Sequence, residues 1–378
     1  MKIQLVKNEF VNALNDIIKV VPAKPLNPVF AGVYISISKQ GQLLLKATDS
    51  SSFITRKSVV ESDGDAEFIV GAKEITEIVK SFSIDKIEIQ DNDNSIKIIG
   101  GKTQFTIPKL PIDNFPTFPS IDKVDFTVNT KDFSSAINAV ESATDDKNPT
   151  FTNIQLKLDG DSVFAYGTDR FRIAKSKFNI LNNQIKDQKS ILVKAKSLFI
   201  ATRAFEELNT INVSLNYDAD EVKQISFASD TMTLTLMTSK GEFPDFTTII
   251  GEEFSESIIV HKEDVLAALK QVSIVFSASS LTAGSLKHTN FKITNNTLDI
   301  SVNGEESATA EVEAEYTGSD IQVIFNNEFI IDGIENVNTK FVKITFNPDA
   351  KKFKINEIDN PKAVASDSYT YILMPILN

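Results

Sequence analysis

The chain has 378 residues, no cysteine, and 39 basic against 51 acidic side chains, a formal net charge of -12. The missing cysteines exclude disulfide staples, thiolate metal sites and cysteine nucleophiles, and the acidic balance argues against a protein that grips nucleic acid by charge alone. With 42% apolar residues, 24% charged residues and a mean hydropathy of -0.08, the chain is of the soluble globular class, and it is too long for one ordinary core.

The first predicted element is a short strand with Ile3 and Leu5 apolar at period two, running straight into a helix with Phe10, Ala13, Leu14 and Ile17 on one face. A hairpin follows, from Val33 to Ile37, through a turn at Gln40-Gly41, to Leu43–Ala47. The strand-to-helix pattern then returns 65 residues on, as Phe68 and Val70 with Ile75, Ile78, Val79 and Phe82. An offset of 123 from the first copy gives Phe126, Val128, Phe133, Ala136, Ile137 and Val140, and a second hairpin turns at Asp159-Gly160 between Ile154–Leu158 and Val163–Tyr166. Ile191, Val193 and Leu198 form the fourth copy, and a further offset of 132 gives Ile258, Val260, Val265, Ala268, Leu269 and Val272. A turn at Asn295-Asn296 precedes the sixth copy, at Val323, Phe325 and Ile330.

Six copies at locked spacings are internal repetition. The phase divides the chain into domains 1–124, 125–253 and 254–378, each of about the modal domain size. Two helices against roughly eight strands per domain predict an α+β fold, in which helices pack on antiparallel sheets. Three such domains would stack as a curved array, sheets outside and helices inside. The linkers, Leu110-Pro111 to Ser120 and Gly251-Glu252-Glu253, are short. Lys2, Lys7 and Glu9 interrupt any signal-peptide core and no stretch approaches a membrane span, so a cytoplasmic chain without membrane contact is expected.

Catalytic chemistry finds little footing. His261 and His288 are the only histidines and lie apart, and Gly101-Lys102-Thr103 lacks the glycine of a phosphate loop because Ile96 stands in its place. The acidic pairs Asp145-Asp146 and Glu305-Glu306 have no neighbouring ligands at metal spacing. The expectation is a protein that is not an enzyme and carries no cofactor, metal or catalytic residue.

The strand-to-helix openings, the pairs Thr48-Asp49 and Thr168-Asp169, Leu110-Pro111 with Phe115-Pro116, Phe243-Pro244-Asp245 and the terminal Tyr371-Ile372-Leu373-Met374-Pro375 together resemble the β subunit of bacterial DNA polymerase III, the sliding clamp family, from end to end. That resemblance implies a head-to-tail homodimer closed into a six-domain ring around double-stranded DNA without sequence specificity. The ring would act as a processivity factor, tethering the replicative polymerase, the clamp loader and other clamp-motif proteins. The alternative is a cytoplasmic repeat-built scaffold that encircles nothing. Counting by domain gives 15 basic and 15 acidic residues, then 14 and 19, then 10 and 17. A ring that holds DNA topologically must not grip it, so an acidic body with a modest basic lining suits sliding. Candidates for the lining are Lys24, Lys73, Lys80, Lys131, Lys194, Lys196 and Arg203.

The resemblance also implies an apolar groove for partner peptides. Carried over by position, it comprises Thr168, Arg172 and Ile173, then Pro244, Thr248 and Ile249, and the terminal Ile372, Leu373, Met374, Pro375, Ile376 and Leu377. A partner motif with a glutamine and two large apolar residues would insert there, hydrogen-bonded by Arg172. Where the family has a small residue and a histidine, this chain has Arg170 and Phe171. For the dimer contact, an edge strand Gln104–Ile107 would pack Phe105 and Ile107 on Ile274 and Val275, with Lys97 and Lys102 facing Glu305 and Glu306.

Overall fold

A computed structural model describes the whole chain except residues 26, 122, 279–286, 304, 305, 350, 377 and 378. All six strand-to-helix copies are present, each strand abutting its helix. Lys2–Val6 runs into α1 (Lys7–Ile18), Ala66–Gly71 into α2 (Ala72–Ser81), Phe126–Asn129 into α3 (Thr130–Glu141) and Lys189–Lys194 into α4 (Ala195–Ala204). After a short helix α5 (Thr247–Ile250), Glu256–His261 runs into α6 (Lys262–Val272); beyond α7 (Ile274–Ala278), Ile321–Asn326 runs into α8 (Asn327–Glu335).

The repeat extends to the backbone. A helix opens with N–H groups that lack an intrahelical acceptor, and here the first of them is satisfied by a carbonyl from a distant chain segment. Lys7 N donates to Asp85 O at 2.8 Å, Thr130 N to Asn209 O at 3.0 Å and Lys262 N to Lys340 O at 2.8 Å. The fourth and sixth copies do likewise, Ala195 N to Thr152 O at 2.9 Å and Asn327 N to Lys287 O at 2.8 Å. Fixed in this way, each helix turns the apolar face read from the sequence inward: Phe10, Ala13, Leu14 and Ile17 in α1, and Val265, Ala268, Leu269 and Val272 in α6, are all buried.

The chain forms two compact units. The first comprises residues 1–130, 181–184 and 200–238, the second residues 131–180, 185–199 and 239–378. In the first, α1 packs on α2. A five-stranded sheet runs in the order Glu61–Ser62, Lys2–Val6, Lys86–Asp91, Ser95–Gly100, Thr103–Pro108. An eight-stranded antiparallel sheet runs Ala66–Gly71, Gly32–Ile37, Gln42–Thr48, Ser52–Val59, Met232–Met237, Glu221–Ala228, Thr210–Asp218, Phe126–Asn129. Its middle pairing, Ser52 to Arg56 against Leu236 to Met232, joins residues far apart in sequence. The stretch Phe115-Pro116-Thr117-Phe118 folds back on this sheet: Phe115 stacks on Tyr34 at 5.2 Å and on Phe118 at 5.5 Å, and Phe118 meets Phe53 edge-on at 5.3 Å.

The second unit repeats the plan. Its long sheet runs Lys189–Lys194, Asn153–Asp159, Ser162–Thr168, Arg172–Leu181, Tyr369–Leu373, Phe353–Ile358, Phe341–Phe346, Glu256–His261. A further sheet contains Ala308–Glu315, Thr297–Val302, His288–Thr294 and Ile321–Asn326. No described helix is long and apolar enough to cross a membrane.

Candidate functional site: an apolar groove and its rim

The predicted groove residues come together through strand pairing. The Arg172–Leu181 strand lies between Ser162–Thr168 and the terminal strand Tyr369–Leu373, with Ile173 opposite both Thr168 and Ile372, and Ile372 opposite Lys354. Residues opposite one another in a ladder share a face of the sheet. The row Thr168, Ile173, Ile372, Lys354 therefore lies on one face, with Thr168, Ile173 and Ile372 buried there. Lys354 Nζ donates to the carbonyls of Ile250 (2.8 Å) and Glu252 (2.6 Å), which brings the segment carrying Pro244, Thr248 and Ile249 onto that face. At the rim Phe171 and Met374 are exposed, and Met374 N donates to Phe171 O at 3.0 Å. Ile376 continues outward, its N–H bonded to Ile324 O at 2.8 Å, with Pro375 half-buried before it.

Two groove expectations are corrected. Strand residues alternate between faces, so Arg172 and its ladder partner Leu373 point away from Ile173, and Leu373 is core. The guanidinium of Arg172 is buried and committed: Nε donates to Asp169 Oδ2 at 2.9 Å, and Nη1 to Asp332 Oδ2 at 2.5 Å and to the Tyr371 hydroxyl at 3.3 Å. Its plane lies 3.9 Å from the Phe329 ring centroid. These groups are not offered to a peptide; Arg172 instead ties the turn at residues 168–172 to α8 and the terminal strand. Burial opposes its charge, but Tyr371, Asp169 and Asp332 outweigh that and hold it above the ordinary arginine range. Asp332 moves upward as well, because its burial outweighs what Arg172 returns. Gly333 lets α8 approach, since a Cβ there would stand 2.6 Å from the Tyr371 ring. Leu377 lies outside the described residues.

All seven candidate DNA-facing cations are exposed. Lys73 and Lys80 lie on α2, Lys131 on α3, Lys196 and Arg203 on α4, with Lys194 just before α4 and Lys24 after α1. Lys80 pairs with Glu77 at 3.5 Å, Lys196 with Asp146 at 2.8 Å and Arg203 with Glu206 at 3.5 Å. The hydrogen bond that Lys196 donates to Asp146 raises the lysine's pKa.

For the expected dimer contact, Thr103–Pro108 is an edge strand, paired among the described residues only with Ser95–Gly100. Gln104, Lys102 and Glu306 are exposed, Lys97 is half-buried, and Ile274 is 67% exposed with Val275 half-buried beside it. Ile107 is a correction. It sits at 3% exposure opposite Ile96 within its own sheet, and Phe105 lies edge-on to Phe82 at 5.7 Å, so Ile107 belongs to the core of its own domain. Glu305 lies outside the described residues. Among those described, no three His, Asp or Glu side chains gather as a metal site.

Sequence reading missed Phe151, which lies under the Arg170 guanidinium at 5.9 Å. The Asp169 carboxylate that organises the turn was part of a recognised pair but was given no role.

Tandem α+β repeats whose sheets run on from one domain's strands to the next define a three-domain clamp. Models of the N-terminal, central and C-terminal domains of the DNA polymerase III beta subunit match residues 1–119, 127–245 and 247–376. The Beta sliding clamp of Streptomyces coelicolor is 24% identical over 381 residues, covering 100% of this chain and 99% of that protein. Similar solved structures include the Bacillus subtilis DNA polymerase sliding clamp (19% identity, TM-score 0.88, coverage 100% and 99%) and the Pseudomonas aeruginosa sliding clamp bound to griselimycin (21%, 0.87, 100% and 100%). The chain belongs to the DNA polymerase III beta subunit family, the β sliding clamps, and its function is that of a DNA polymerase processivity factor.

Proposed function

We propose that this clamp is a non-catalytic ring that encircles duplex DNA as a head-to-tail homodimer in the cytoplasm, opened by a clamp loader and read by partner peptides at the groove. The reading rests on the repeat itself: three matching domains run from end to end of the chain, with the same strand-to-helix opening in each half-domain. The domains are assigned as 1–124, 125–253 and 254–378. Lys24, Lys73, Lys80, Lys131, Lys194, Lys196 and Arg203 form the basic lining. The exposed edge Thr103–Pro108 of one copy meets the third domain of the other, for which Ala308–Glu315 is suited, being paired with Glu256–His261 only near its end. Thr168, Ile173, Pro244, Thr248, Ile249, Ile372, Met374, Pro375 and Ile376 form the groove, with Arg170 and Phe171 at its mouth. Retention on circular against linear DNA tests the ring: a topological binder stays on the circle and slides off free ends, and equal retention on both would overturn the reading.

A further inference from the structure

The turn at the groove mouth occurs twice in the chain, and the two copies differ in an informative way. In the first domain Thr48 Oγ1 accepts from Ser50 N (2.9 Å), and Asp49 Oδ1 accepts from Ser51 N (2.9 Å) and Ser52 N (2.6 Å). In the central domain Thr168 Oγ1 accepts from Arg170 N (3.1 Å), and Asp169 Oδ1 from Phe171 N (3.0 Å) and Arg172 N (3.1 Å). The residue after the aspartate is left-handed in both, Ser50 at φ 77° and Arg170 at φ 83°. Threonine and aspartate thus build the turn, and serine suffices at the next three positions.

Arg170 and Phe171 are therefore not required by the turn. Both are exposed, Phe171 by 56%. A left-handed conformation costs a residue with a side chain on the order of 1–2 kcal/mol, so nothing local favours a long cation at position 170. Its guanidinium carbon lies 5.9 Å from the Phe151 ring centroid, and its Nε donates a long hydrogen bond to Asp169 O at 3.4 Å. Among the described residues no ion pair joins it to a carboxylate, and Asp145 is the acidic neighbour that feels its charge. At that distance the ring makes only a long cation–π contact and takes up none of the guanidinium N–H donors, and a guanidinium with donors to spare suits a carboxylate.

We propose that Arg170 is a specificity-determining residue of the groove: beside Phe151, it takes the carboxylate of an aspartate or glutamate in the partner peptide, next to an apolar anchor held at Phe171 and Met374. The proposal rests on the groove reading above and adds the chemistry of the ligand. It makes the rim selective for an acidic side chain in an otherwise acidic protein, where a merely apolar groove would disfavour one at long range.

Calorimetry with the full-length protein tests it, using two peptides that carry a glutamine and two leucines and differ only by aspartate or asparagine between the leucines. The wild type binds the aspartate peptide about fivefold more tightly at ~0.15 M salt, a preference that shrinks as salt rises. Arg170→Ser, which installs the residue type that already holds this φ in the first domain, removes the preference without lowering the melting temperature. An unchanged aspartate-to-asparagine ratio in Arg170→Ser overturns the proposal and leaves the groove standing. Failure of the wild type to bind either peptide overturns the groove reading and the proposal with it.

Discussion

Replacing Arg172 by methionine tests whether this side chain anchors the groove-bearing turn to the third domain. Methionine fills much of the volume but leaves Asp169, 11% exposed, and Asp332, 32% exposed, without their common cation. Removing one partner of a buried pair costs about 3–5 kcal/mol; because Asp332 reaches solvent in part, the lower end, about 3 kcal/mol, is expected. The pH dependence follows from the direction of the Asp332 shift. Its folded-state pKa is already raised by burial, so the folded protein binds this proton more tightly than the unfolded chain does, and its contribution to stability falls as pH rises between the ordinary and the raised value. Without Arg172 the raised value climbs further. The variant's deficit should therefore be large at neutral pH and shrink toward the ordinary carboxylate range, and Asp332→Asn added to Arg172→Met should recover part of the neutral-pH loss. Denaturant melts of the single and double variants at neutral and mildly acidic pH measure this. A deficit under about 1 kcal/mol, the range of an exposed pair, or one that does not change with pH, would refute the assignment of Arg172 as a buried, charge-compensated anchor.

Phe105→Asp with Ile274→Asp should convert a sedimenting dimer to monomer, and Ile107→Asp should instead lower stability, since that side chain is core; a dimer untouched by the double variant would place the interface elsewhere. Changing Lys24, Lys73 and Lys196 to glutamate should impair loading and processivity while shifting stability little, within ~0.5 kcal/mol per surface site, and equal processivity would move the lining elsewhere. Deleting residues after Leu373 should weaken a partner peptide more than ~10-fold, about 1.4 kcal/mol, because it removes Met374 to Ile376 from the rim. Cutting after Tyr371 would also remove buried Ile372 and Leu373 and so confuse binding with folding; unchanged affinity in the shorter deletion would take the tail out of the site.

The repeated openings could be read in advance because the switch from period two to period 3.6 is local, and Phe10, Ile75 and Val265 each declare their face within one helical turn. Arg172 could not be read so. Its partners Asp332 and Tyr371 are 160 and 199 residues away, and only the pairing of Arg172–Leu181 with the terminal strand brings them near. Parity along that strand did hold a usable signal, since Arg172 and Ile173 are neighbours and cannot both face a peptide. Ile107 escaped for another reason: alternation puts it on the same face as Phe105, but nothing in the sequence says that this face is turned onto the domain's own helices. Phe151 carried no local pattern at all.

The aromatic fold-back of Phe115 and Phe118 bears on how far the repeated domains have diverged. Phe53 stands opposite Thr48 just as Ile173 stands opposite Thr168, so the two occupy equivalent places on equivalent sheets. In the first domain that place is already taken by Phe118, whereas the matching Phe246 of the central domain turns to Phe243, 5.9 Å away. The same Phe-Pro-x-Phe stretch thus lays its second ring on the sheet at Phe53 in the first domain and against its own first ring in the central one. Duplication of the domain kept the Phe-Pro-x-Phe sequence without keeping its packing, so sheets alike in pattern differ in what meets Phe53 and Ile173.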